Sequence, residues 1–182
     1  MDLPLPGDAV RTAVVFGKLP AHGDFVARGL SAAEAAGLDD YLSASLGDAA
    51  MLEDFDALYA TAPAWRFVIE LDGRPVCGVI APSVDKVGRQ FPVMAGVAAS
   101  SGSLGLLADA CEAHLYQTFA DGGTADDLAA ALAAFPEDPD APGLPPAGWF
   151  LEDENKVIVD RLDGNRPLDL VTRMMESARL RS

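Results

Sequence analysis

The chain reads as an α/β protein, a three-layer α/β/α sandwich around a mainly antiparallel mixed sheet. Three observations predict it. Two apolar runs flank Asp72-Gly73, a pair suited to a two-residue hairpin turn because both central positions need positive φ. A third apolar run, FPVMAGVAAS (91–100), follows as an adjacent strand. The helical stretches fall into three separate blocks, enough to cover both faces of such a sheet. A two-layer α+β sheet is the alternative.

Taken in order, TAVVFGKLP (12–20) is a short first strand interrupted by Gly17 and ended by Pro20. Residues 31–50 form a helix. Ser31 caps it, Glu34 completes a capping box, and Leu38, Tyr41, Leu42 and Leu46 share a face, with Gly47 as the stop. Residues 51–61 make a second helix with Leu52, Phe55, Leu58 and Tyr59 inward. AWRFVIELDGRPVCGVIAPS (64–83) is the hairpin, with Ile69 opposite Val76 and Val68 opposite Cys77. Residues 104–120 form an amphipathic helix with a Leu107, Cys111, Leu115, Phe119 stripe and a partly buried His114 beside it. Residues 124–135 form another, capped by Thr124. A second hairpin spans 149–162, turning near 153–155. A closing helix covers 165–180, with Asn165 as cap, Pro167 in the first turn, and Leu168, Val171, Met174, Met175 and Ala178 on the apolar face.

Half of the 182 residues are hydrophobic, enough for one domain with a real core, 1–182. Residues 1–11 read as a flexible N-terminal segment and 136–147, rich in proline, as a surface loop. The formal charge is −15, with 28 acidic against 13 basic residues. Such a chain repels phosphate backbones and anionic lipid, so nucleic acid and membrane surfaces are poor partners. The acidity serves solubility or selects a basic protein partner. Cys77 and Cys111 lie in apolar patterns and read as buried free thiols. MDLPLPGDAV lacks a signal peptide's basic start and apolar run, and no stretch reaches the roughly 18 apolar residues of a membrane helix. The expected compartment is the cytoplasm.

Two runs concentrate chemistry-bearing residues: FGKLPAHGDF (16–25) and PSVDKVGRQFP (82–92). SVDK matches the Ser-x-x-Lys pattern of acyl-transfer enzymes, in which the lysine activates the serine, but the companion Ser-Asp-Asn and Lys-Thr-Gly motifs are absent. A set of Ser83, Lys86, Asp85, Asp24 and His22 is the candidate hydrolytic or ligand site. There is no Gly-x-Ser-x-Gly elbow, no fixed metal-ligand spacing and no phosphate loop. No cofactor or metal is implied. The structural reading gives Gly17 a bulge or close backbone approach, Gly23 a positive φ, and Asp24 a bond to its own turn. Asp85 and Gly88 turn the chain, Phe91-Pro92 re-enters the core, and Arg89 or Lys86 salt-bridges Asp24 or Asp85.

FGKLPAHGDFVARGL (16–30), APAWRFVI (62–69) and GVIAPSVDKVGRQFPV (78–93) together resemble the TagF (also ImpM) family of type VI secretion accessory proteins. The resemblance covers roughly residues 12–100. It implies a cytoplasmic, post-translational repressor of type VI secretion with an α/β/α sandwich fold and no catalytic activity. Such proteins act through the system's forkhead-associated scaffold protein and phosphorylation-linked control. The matching positions are Gly17, Lys18, Pro20, Gly23, Asp24 and Phe25; Trp65, Arg66 and Phe67; and Ser83, Asp85, Gly88, Arg89, Phe91 and Pro92. His22 is not tied to the pattern, and position 86 is basic without requiring lysine. The expectation is a non-enzymatic interaction module whose first-run and 82–92 loops form one docking patch, against the alternative of a small-ligand or hydrolytic site.

Overall fold

The computed structural model describes residues 11–99, 101–136 and 140–180. The predicted flexible segment therefore lies outside the described residues except for Arg11, as do residues 137–139 of the proline-rich loop. Twelve elements are described: β1 (Ala13–Gly17), β2 (Val26–Arg28), α1 (Ala32–Ala49), α2 (Phe55–Thr61), β3 (Trp65–Leu71), β4 (Arg74–Ala81), β5 (Val93–Ala98), α3 (Leu104–Asp121), α4 (Ala125–Ala133), β6 (Gly148–Glu152), β7 (Ile158–Asp163) and α5 (Leu170–Arg179). The seven strands form one sheet in the order β2-β1-β5-β4-β3-β6-β7. Every pairing in it is antiparallel, so the α/β reading holds but the sheet is not mixed.

Strand alternation explains how the core is divided. Val14 and Phe16 of β1, Phe67 and Ile69 of β3, and Trp149 and Leu151 of β6 join one buried cluster with residues of α1, α2 and α5. Their neighbours Ala13, Val15, Val68 and Phe150 join another with residues of α3 and α4. Because side chains alternate along a strand, burial on both sides makes the central strands read as continuous apolar runs. The Leu107, Cys111, Leu115 stripe of α3 is buried as its spacing predicts. Both cysteines are free and buried, and burial raises both thiol pKa values, that of Cys77 to about 12.

The Asp72-Gly73 turn has φ of 51° and 72°, and the pairs Ile69↔Val76 and Val68↔Cys77 form as read. Its neighbourhood corrects one detail. Ser31 does cap α1, its hydroxyl accepting the Glu34 N–H at 3.1 Å. Glu34 does not close the box. Its carboxylate accepts the Asp72 N–H at 2.9 Å, and Asp72 in turn accepts the Ser31 N–H at 2.7 Å. The cap is shared between helix and hairpin, tying α1 to the sheet. Thr124 and Asp127 form a genuine capping box on α4.

Other boundaries move. Gly47 does not stop α1, which continues to Ala49. The closing helix begins at Leu170 rather than 165. Asn165 is no cap: its side chain accepts the Glu70 N–H at 3.0 Å, and the Pro167 carbonyl accepts the Tyr41 hydroxyl at 2.7 Å. Residues 165–169 form a strap over α1 and β3, which leaves Leu168 exposed instead of on the apolar face. The strand β2 has no counterpart in the sequence reading, because three residues are too few to show a period. No described helix is long and apolar enough to cross a membrane.

Candidate functional site

The two signature runs become neighbouring loops. Residues 18–25 link β1 to β2, and 82–92 link β4 to β5, while β1 and β5 pair directly. Their meeting follows from strand order, since Gly17 pairs with Val93 at the sheet end from which both loops leave. The loops are bonded through backbone: the Lys86 N–H donates to the His22 carbonyl at 2.8 Å.

Asp85 is the centre of the junction, with a side chain wholly removed from solvent. One carboxylate oxygen accepts the N–H groups of Val87 (3.0 Å) and Arg89 (2.9 Å). The other meets Lys18 Nζ at 3.2 Å and accepts from Arg89 Nε at 2.6 Å. Removal from water pushes this carboxyl up. The Arg89 backbone and side chain, Lys18 and the Val87 N–H outweigh that, and hold it well below the usual carboxylate range. Arg89 also donates to the Gly23 carbonyl at 2.6 Å, bridging the loops a second time. Lys18 Nζ stands 5.1 Å from the Phe25 ring centroid, and Phe25 packs edge-on against Phe91 with ring centroids 4.6 Å apart.

The predicted salt bridge is thus Arg89–Asp85, joined by Lys18 rather than Lys86. Asp24 reaches Arg89 only at 4.0 Å and is fully exposed, so it does not bond its own turn. Gly23 does not take positive φ; Gly17 and Gly88 do. Gly23 contributes its carbonyl instead. His22 has a role the sequence did not indicate: its Nε2 accepts the buried Ala125 N–H at 3.0 Å, at the first residue of α4. That N–H is one of the helix's unsatisfied donors. His22→Leu is expected to cost about 1–2 kcal/mol in urea unfolding, with partial recovery in His22→Gln, which restores an acceptor. Equal stability of His22→Leu and the parent protein would show that the bond contributes nothing.

The candidate hydrolytic residues do not converge. Ser83 is buried, its backbone N–H and carbonyl both bonded to the Tyr59 hydroxyl at 3.1 and 2.9 Å. The Ser83 hydroxyl faces the Val84 carbonyl at 3.5 Å. Among the described residues no hydrogen bond links Ser83 to Lys86, Asp24 or His22, and Asp85 is occupied by cations. No group of three or more His, Cys, Asp or Glu suited to a metal occurs among them either.

The middle motif lies elsewhere. Trp65 is fully buried against α5, its Nε1 donating to Ser177 Oγ at 3.2 Å. Arg66 is buried under α3, donating to the Gly105 carbonyl at 3.1 Å and paired with Asp109, Glu112 and Glu152. Neither belongs to a common exposed patch, and neither do Lys18, Ser83 or Asp85, which are buried. What the junction exposes is Phe25 (45%), Val87 (72%), Pro20, Gly23, Asp24, Lys86, Gly88 and Arg89. Pro20 and Val84 of these loops also line an open, mostly apolar groove of about 230 Å³ with Tyr59, Ala60, Pro82, Ser83 and Phe119. Sequence reasoning missed Val87 and Tyr59. An apolar residue between Lys86 and Gly88 in a polar loop was the available signal for Val87; nothing local marked Tyr59.

The fold and junction define an antiparallel α/β domain whose signature residues lock two loops together. The chain belongs to the family described as TagF N-terminal domain, type VI secretion system-associated, whose model matches residues 14–135 and includes all three signature runs. Among solved structures, PA0076 from Pseudomonas aeruginosa PAO1 is similar at a TM-score of 0.69 and 23% identity, over 90% of this chain and 94% of that one, which shows a shared fold. No curated protein matches.

Proposed function

We propose that this type VI secretion-associated domain is a cytoplasmic, post-translational negative regulator. It acts without catalysis, by docking a cytoplasmic component of the apparatus on the surface formed by loops 18–25 and 82–92. The forkhead-associated scaffold protein is the partner that the family resemblance suggests.

One observation carries the reading. Ser83, Lys18 and Asp85 are buried and bonded inside the junction, while Phe25 and Val87 stay exposed on it with Lys86 and Arg89, and Pro20 and Val84 of the same loops line an apolar groove. Apolar anchors ringed by a few polar groups are what a protein interface requires.

Deleting the gene is expected to raise secreted effector, and the intact protein to reverse the rise. Lys86→Glu/Val87→Asp, at surface positions, is expected to accumulate folded but fail to reverse it. It should also bind the purified scaffold protein at least about tenfold more weakly than the parent does. No rise on deletion would overturn the regulatory reading, and full reversal by the double variant would overturn the surface.

A further inference from the structure

The sheet's far side has a feature the two-loop surface does not use. β7 is the last strand in the order, and among the described residues no strand pairs with its outer edge. Edge strands are ordinarily blunted by charge, proline or brevity, since their free N–H and C=O groups template further pairing. The opposite edge, β2, has only three residues, and Arg28 in it is paired with Asp126. β7 has six; its second half is charged, with the Asp160 carboxylate accepting the Arg161 N–H at 2.8 Å, but its approach and start, Val157, Ile158 and Val159, are 55%, 47% and 56% exposed. Three consecutive exposed β-branched residues send apolar side chains to both faces of an open edge.

At the start of β7, the turn from β6 borders a pocket of about 250 Å³. Glu112, Glu152, Asp153 and Glu154 line it against Arg66 and Lys156. Both cations are engaged by Asp109, and Arg66 also by Glu152 at 3.2 Å and Glu112 at 3.8 Å. With four carboxylates against two cations the lining is net acidic, on a chain of charge −15. Tyr116, 43% exposed, also lines it.

We propose that the outer edge of β7 receives an extended segment of a basic protein partner by antiparallel strand addition, with Lys or Arg residues following that strand entering the acidic pocket. Antiparallel addition continues the pattern of every pairing in the sheet and gives the better-aligned hydrogen bonds. An added antiparallel strand runs toward the β6–β7 turn, so the residues that meet the carboxylates are those on its C-terminal side. Backbone pairing and Val157, Ile158 and Val159 supply affinity; the pocket supplies sign and direction. This surface is independent of the two-loop surface.

The test uses the full chain and a labelled synthetic peptide of alternating Thr and Val ending in Gly-Arg-Arg. Two control peptides end in Gly-Glu-Glu or carry Arg-Arg before the strand. By anisotropy at low salt, the first is expected to bind at least about tenfold more tightly than either control. Its binding should slow amide exchange at the start of β7, at Val159 above all. Glu112→Gln/Glu154→Gln should weaken it about threefold or more, and Ile158→Lys/Val159→Lys, at exposed positions, should abolish it with the melting temperature unchanged. No measurable binding, equal binding of the Glu-tailed peptide, or binding without protection of β7 would overturn the proposal.

Discussion

Gly17→Ala is expected to destabilise the domain by about 3–5 kcal/mol, through overpacking together with backbone strain. Gly17 ends β1 at φ 124°, a conformation L side chains rarely adopt. A Cβ there would stand 2.1 Å from the Pro92 carbonyl oxygen and 2.9 Å from Val93 Cα. Both obstacles are backbone, and Val93 is the direct pairing partner of Gly17, so neither retreats without opening the β1–β5 ladder. The same shift would pull loop 82–92 from loop 18–25 and loosen the Asp85 junction. For a domain of this size the cost corresponds to a fall in melting temperature of roughly 6–20 °C. Gly23→Ala is the control: nothing lies within 4 Å of its Cβ position, its φ is not positive, and the change should stay within about 0.5 kcal/mol. Thermal melts of the two variants suffice. Similar losses for both, or none for Gly17→Ala, would remove Gly17 from the junction's explanation.

That contrast also marks what the sequence could and could not disclose. Gly17 and Gly23 look alike in FGKLPAHGDF, yet one is wedged against a distant strand and the other is open. Nothing local separates them, because the Pro92 carbonyl lies 75 residues away in sequence. The hairpin at Asp72-Gly73 was legible to the register, since its determinants are two adjacent residues and an apolar run on each side. The helical stripes were legible for the same reason. The start of α5 was not: Asn165 has a cap's chemistry, but Glu70 and Tyr41 recruit the residues around it into a tertiary strap. The site followed this division. Asp85 with Arg89 was predictable, being four residues apart in one turn. Lys18 as their third member and His22 at the head of α4 depend on loop placement across the sheet. Asp24, conspicuous beside His22, turned out to be exposed because Arg89 is committed to Asp85 and Gly23.

Asp85→Asn is expected to lower the melting temperature more than Lys18→Met, and the double variant less than the sum of the two. In the parent protein one carboxylate serves two cations and two backbone N–H groups. The amide keeps the shape but removes the charge, leaving Lys18, itself buried, with no counter-ion. Lys18→Met removes a cation and leaves Asp85 with Arg89 and both N–H groups, while the methionine stem still fills the space beside Phe25. Once Lys18 is gone, Asp85→Asn strands one cation fewer, hence the non-additivity. The pH dependence has a definite sign. The folded-state carboxyl sits below its ordinary value, so its contribution is complete above the unfolded pKa of about 4 and is lost as pH falls toward the folded pKa. The stability gap between the parent protein and Asp85→Asn should be constant from pH 8 to about 5 and shrink below about 4. Urea unfolding at several pH values measures it. A gap that widened on acidification, or was absent at neutral pH, would mean that the buried carboxylate does not hold the two loops together, and a docking surface built on their fixed geometry would lose its foundation.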